Sequence, residues 1–181
     1  VKCRIGLDDC DSYQSLANFV RIVSEKGEVQ NFIIHARKAI LKGLSPDQNR
    51  KIPPLKYEYV YQLAKDFPNL KFILNGGIKT YNHVEEALNN GANGVMVGRG
   101  ILENPWYWSQ TDSTIYKISD PGLSRRQVLH KYCTYASEIE STTESSKKLS
   151  VRRQLIKPIW NIYYAEPGGK KYRARLNELL I

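Results

Sequence analysis

Four short apolar runs in this chain each end in residues able to hold a ligand. Val1–Arg4 carries Lys2 and Arg4, and Asn31–His35 runs into Ala36, Arg37 and Lys38. Leu70–Leu74 is followed by Asn75-Gly76-Gly77, and Gly94–Val97 by Gly98-Arg99-Gly100. Glycines let a backbone approach a ligand closely and turn N–H groups toward phosphate oxygens. Arg99 could add a two-pronged grip on the same group. Two such glycine loops, each closing an apolar run, point to a bound phosphate. The plainer alternative is a pair of tight turns with a surface arginine. His35 could be an exposed strand-end histidine and Lys2 a solvated charge, although a compact cation there would suit an electron-accepting ring. His83 and His130 stand at no metal-binding spacing, and no metal is expected.

The spacing of apolar residues predicts the elements that carry these ends. Leu16, Phe19, Val20 and Val23 recur at helical intervals after Asp11-Ser12-Tyr13-Gln14, a capping-box pattern with Asp11 at its head. Tyr57–Phe67 reads as a helix stopped by Pro68, and Tyr81–Asn90 as a helix closed by Gly91. The order is therefore β-α-β-α-β-α-β, which implies parallel strands covered by helices. An open sheet and a barrel both fit that pattern. In a barrel all four strand ends would share one rim, where ligands bind.

Ser109–Gly122 is polar and ends in Pro121-Gly122, so a linker is expected there. Ser124–Glu140, Leu149–Tyr164 and Lys170–Ile181 then read as three helices, with Pro158 interrupting the second. The formal net charge is +9 over 181 residues, and it is uneven. Residues 121–181 hold 12 Lys and Arg against 5 Asp and Glu. A basic region of this kind favours a polyanionic partner, nucleic acid first. A solvated helical surface is the alternative. No apolar run reaches the roughly 18 residues of a membrane span, so none is expected. Cys3, Cys10 and Cys133 form no CxxC pair, and reduced thiols in a cytoplasmic setting are the default.

The segments VKCRIGLDD, FIIHARKAILKGLSPDQNRKIPPL, ILNGGIKT and GVMVGRGILENPW resemble the tRNA-dihydrouridine synthases, most closely the A-type branch. The resemblance is strong to about residue 108 and weak beyond it. It implies an α/β fold, namely strands five to eight of an FMN-binding (β/α)8 TIM barrel, followed by a small all-helical domain. The expected boundaries are 1–108 for the half-barrel, 109–122 for the linker and 123–181 for a tRNA-binding domain. The implied reaction is reduction of the uridine C5–C6 bond in the D-loop of tRNA, with NADPH as reductant.

The resemblance places flavin contacts on Lys2 and His35, on Asn75, Gly76 and Gly77, and on Gly98 and Arg99. It places tRNA contacts on Asn49 and Arg50, with Arg37 and Lys38 beside them, and more loosely on Arg152, Arg153 and Lys157. The family's general-acid cysteine would precede Val1, and none of the three cysteines here matches its motif. The chain is thus expected to be a fragment with little activity by itself. Two rivals are an FMN-dependent oxidoreductase of a small pyrimidine, resembling dihydroorotate dehydrogenase, and an RNA-binding remnant without catalysis.

Overall fold

The computed structural model describes residues 1–180, which form two compact units, 1–98 and 99–180. The first unit holds four strands, β1 (Lys2–Arg4), β2 (Asn31–His35), β3 (Lys71–Asn75) and β4 (Gly94–Met96). Between them lie α1 (Tyr13–Gly27), α2 (Tyr57–Asp66) and α3 (Tyr81–Asn89). All strands are parallel and stand in the order β1-β2-β3-β4. Each new strand is added to the same edge, with no reversal of the kind that defines a doubly wound sheet.

Strand alternation divides the sheet into two unlike faces. Phe32, Ile34, Phe72 and Leu74 are fully buried, and the rings of Phe32 and Phe72 stack at 5.7 Å. Leu16, Val20, Val60, Leu63, Val84 and Ala87 from the three helices are buried with them. Burying such side chains contributes about 1.5–3 kcal/mol each for the larger ones. The alternate positions Ile33, His35, Ile73, Asn75 and Met96 are only half-buried.

The α1 cap differs from expectation by one residue. Ser12 is the N-cap and its Oγ accepts from Ser15 N–H. The carboxylate of Asp11 is drawn instead into ion pairs with Lys56 and Lys38, so it cannot cap. Phe67 ends α2 ahead of Pro68, whose neighbour must leave helical geometry.

The second unit is helical: α4 (Arg99–Glu103), α5 (Arg125–Thr142), α6 (Lys148–Ile156) and α7 (Gly169–Glu178). Part of the polar stretch read as linker is wound into turns, a 3-10 segment at Pro105–Gln110 and a π segment at Asp112–Tyr116. Asn104 Oδ1 accepts from Tyr107 N–H and starts the first of these. Ser124 and Gln127 form a reciprocal capping box on α5. Its buried apolar set is small, Ile156, Ile162 and Leu176. Rings supply the rest: the Arg125 guanidinium lies 4.9 Å from the Trp106 ring and 4.6 Å from that of Tyr163, and pairs with Glu166 at 2.7 Å. Burial pushes the Tyr172 phenol up to about 12. All three tryptophans, Trp106, Trp108 and Trp160, lie in this unit.

Candidate functional site

Register brings the strand ends of the first unit into line. Arg4 pairs with His35, His35 with Asn75, and Asn75 with Met96. These four residues form one row across the C-terminal end of the sheet. Lys2 stands two positions earlier, level with Ile33, Ile73 and Gly94. Period-two alternation puts Lys2 and Arg4 on the same face as His35 and Asn75, the face the helices leave uncovered.

The glycine loop after β3 is built around this row. Asn75 Nδ2 donates to Met96 O at 2.8 Å, which ties the ends of β3 and β4 together. Gly76 and Gly77 have φ of +114° and +72°, a region closed to most other residues. A Cβ on Gly76 would lie 2.6 Å from His35 Cδ2, and one on Gly77 2.7 Å from Leu55 Cδ1. The backbone thus passes tightly over His35 and Leu55. Gly98 follows β4 with open space around its Cα, and Arg99 is the first residue of α4.

The long segment after β2 is a structured loop. Asn49 closes it: its Oδ1 accepts from Ile40 N–H at 2.8 Å, and its Nδ2 donates to Ile40 O at 2.7 Å. Arg37 donates to Pro53 O. Arg4 donates to Lys38 O at 2.8 Å and Asn49 O at 2.9 Å, so the β1 end holds the loop. Burial, and then the charges of Arg50 and Arg37, hold the Arg4 guanidinium below its ordinary pKa. Three guanidinium groups therefore crowd one end of the sheet, a field that favours an anion.

Asp11 joins the first two loops. It pairs with Lys56 at 2.9 Å and Lys38 at 3.7 Å, and Lys38 also donates to Asp8 O at 2.8 Å. The hydrogen bond from Lys56 is the main cause of a carboxyl pKa held below the usual range. A depressed carboxyl contributes stability above its unfolded pKa, and that contribution is lost as pH falls through the folded value. Amide protection factors in residues 36–56, taken relative to the unstructured rate at each pH, are therefore expected to hold at neutral pH and to fall below about pH 4. Asp11→Asn should remove that acid limb.

Of the residues singled out for a cofactor, His35, Asn75, Gly76, Gly77 and Gly98 stand at or just beyond the C-terminal strand ends, Lys2 is the first residue of β1, level with the middle of β2 and β3, and Arg99 opens the second unit. Sequence reasoning named Arg4 only as a strand-end charge and Asp11 only as a helix cap, and it gave Leu55 and Tyr57 no place at the site. The period-two relation of Arg4 to Lys2 was the available signal for the first. In the second unit, Arg152 grips Glu140 at 2.6 and 3.1 Å and Leu179 O at 3.0 Å. Arg153 and Lys157 are exposed. Among the described residues no group of three His, Cys, Asp or Glu could hold a metal, and no helix is long and apolar enough to cross a membrane.

The family model for dihydrouridine synthase matches residues 1–180. The chain belongs to this family. Its relatives include the tRNA-dihydrouridine(20/20a) synthase of Vibrio cholerae, 38% identical over 178 residues. The proteins of the same name from Escherichia coli K12 and Synechocystis are 41% and 39% identical. In each case 98% of this chain is covered, against 50 to 52% of the relative. The chain spans about half the length of the curated relatives it matches.

Proposed function

We propose that this chain is the C-terminal half of an FMN-dependent tRNA-dihydrouridine synthase. In this reading β1–β4 are strands five to eight of a TIM barrel, residues 109–122 link it onward, and residues 123–181 form a tRNA-binding domain. The observation that carries it is the row Arg4, His35, Asn75 and Met96, in register beside the glycine loop. Sequential addition of strands to one edge supports a barrel arc.

The residues present fit a flavin phosphate. Gly76 and Gly77 lack the Cβ atoms that would strike His35 and Leu55, which keeps the backbone close over both, and Gly77 is exposed. Lys2 and His35 would lie along the ring, and Gly98 and Arg99 would add to the phosphate grip. A bound flavin, reduced by NADPH, would supply the hydride for the uracil C5–C6 bond, with a proton completing the reduction. The protein's share is orientation, charge and exclusion of water. A uridine held in folded RNA must be turned out of its stack to reach such an edge. The reading places the protein in the cytoplasm, with tRNA as its partner.

The charge ledger of residues 121–181 supports the RNA part. Of its carboxylates, Glu140, Glu144, Glu166 and Glu178 are engaged by Arg152, Lys147, Arg125 and Arg175. Arg126, Lys131, Lys148, Arg153, Lys157, Lys170, Lys171 and Arg173 pair with no carboxylate among the described residues. Filter binding of tRNA over a salt series tests this. Each phosphate contact removed lowers the slope of log K against log salt by about 1. Arg153→Ala with Lys157→Ala should lower it by about 2 and leave thermal stability unchanged. Arg152→Ala should instead lower stability, since it frees Glu140 and Leu179 O. A slope that the double variant leaves untouched would remove those two residues from the interface.

A further inference from the structure

The long loop after β2 ends at Leu55 and Lys56, and α2 begins with Tyr57. The Tyr57 hydroxyl donates to Gly76 O at 2.6 Å, across 19 residues of sequence. It also lies 2.8 Å from where a Cβ on Gly77 would stand. The loop's end therefore returns beneath the glycine turn of β3 and touches both glycines, Leu55 against each and Tyr57 against Gly77 and the Gly76 carbonyl.

The peptide joining Gly76 to Gly77 is trans and planar. Its carbonyl and its N–H point in opposite directions. Whatever fixes the first fixes the second. Flanked by two glycines, this peptide has little steric resistance to rotation as a unit, so local sequence does not choose its orientation. Among the described residues, neither Gly76 N–H nor Gly77 N–H donates to a protein acceptor. Burial, the leading cause, pushes the Tyr57 phenol above its ordinary pKa, so it remains an O–H donor.

We propose that Tyr57 is a positioning residue: by anchoring the Gly76 carbonyl it turns Gly77 N–H outward as a donor for an anionic group, a phosphate monoester, at this end of the sheet. Tyr57 touches no substrate itself. The inference deepens the proposed function and rests on its placement of a phosphate at the glycine loop. It also gives the far end of the long loop a role apart from RNA, since Pro53, Pro54 and Leu55 deliver Tyr57 to its place.

Equilibrium dialysis of the chain with FMN and with riboflavin separates the two claims, because the ligands differ only in the phosphate. Tyr57→Phe keeps the ring and removes the hydroxyl. We expect it to reduce the preference for FMN over riboflavin by about tenfold, with riboflavin binding unchanged, as suits one positioned hydrogen bond. In parallel, the Gly77 amide resonance of the unchanged chain should move on addition of inorganic phosphate, and that of Tyr57→Phe should move much less. An undiminished preference, or equal losses for both ligands, overturns the role of Tyr57 while the phosphate site stands. No preference and no phosphate-dependent shift in the unchanged chain overturns the phosphate site, and the inference with it.

Discussion

Gly76→Ala is expected to destabilise the first unit by about 2–4 kcal/mol and to displace His35. Two effects add. An alanine at φ +114° is strained wherever it sits. Its Cβ would also lie 2.6 Å from His35 Cδ2, 3.0 Å from Nε2 and 3.1 Å from Leu55 Cδ2. The imidazole is the part that can give way, so it swings off the row it shares with Arg4 and Asn75. Gly91→Ala is the control. Its φ is +101°, yet nothing lies within 4 Å of the new Cβ. It should show the backbone strain alone, about 1–2 kcal/mol. Urea titrations of both variants give the difference, and the imidazole proton shifts of His35 report the displacement. Equal losses in the two variants, with His35 unmoved, would mean that the close approach carries no weight.

Phe72→Ala is expected to cost about 3–5 kcal/mol, enough to unfold much of the first unit at ordinary temperature. Phe72 is fully buried, stacks on Phe32 at 5.7 Å and meets the Phe67 ring at 6.4 Å. It lies on β3 on the helix-covered face, three residues before Asn75. Its removal leaves a cavity under the helix-covered face of the sheet, where Phe32 and Phe67 already pack. Far-ultraviolet circular dichroism during urea unfolding measures the loss. Ile73→Ala, one residue on and facing the half-open side, should cost clearly less. If the two variants lose equal stability, the two faces of the sheet are not as unlike as described.

Much of the first unit was legible because its signals are local. Asn31–His35 was expected as a strand and forms one over those same residues, since an apolar run with β-branched residues leaves little choice. The stop at Pro68 and the turn at Asn75-Gly76-Gly77 follow from single residue types. Register is different. That Arg4, His35, Asn75 and Met96 stand level is set by how strands dock, and nothing within one strand records it. The same holds for Asp11. Its position before a helix predicted a cap, yet two lysines 27 and 45 residues further along compete for it and win. The resemblance places Asn49 and Arg152 at RNA contacts, and no local signal records that Asn49 also closes a loop on Ile40 or that Arg152 also grips Glu140. A polar residue's partners are a tertiary property. In the second unit the turns at 105–116 escaped because Ser, Thr and Asp favour loops on average, and only contacts with nearby rings and carbonyls wind them.

The confinement of Trp106, Trp108 and Trp160 to the helical unit gives this protein a built-in optical label. Emission excited at about 295 nm, where tyrosine barely absorbs, comes from that unit alone. The strand-bearing unit, with Tyr13, Tyr57, Tyr59, Tyr61 and Tyr81, is silent at that wavelength. Melting followed by tryptophan emission and by sheet ellipticity will give one transition if the two units unfold together. It will give two if each unfolds on its own.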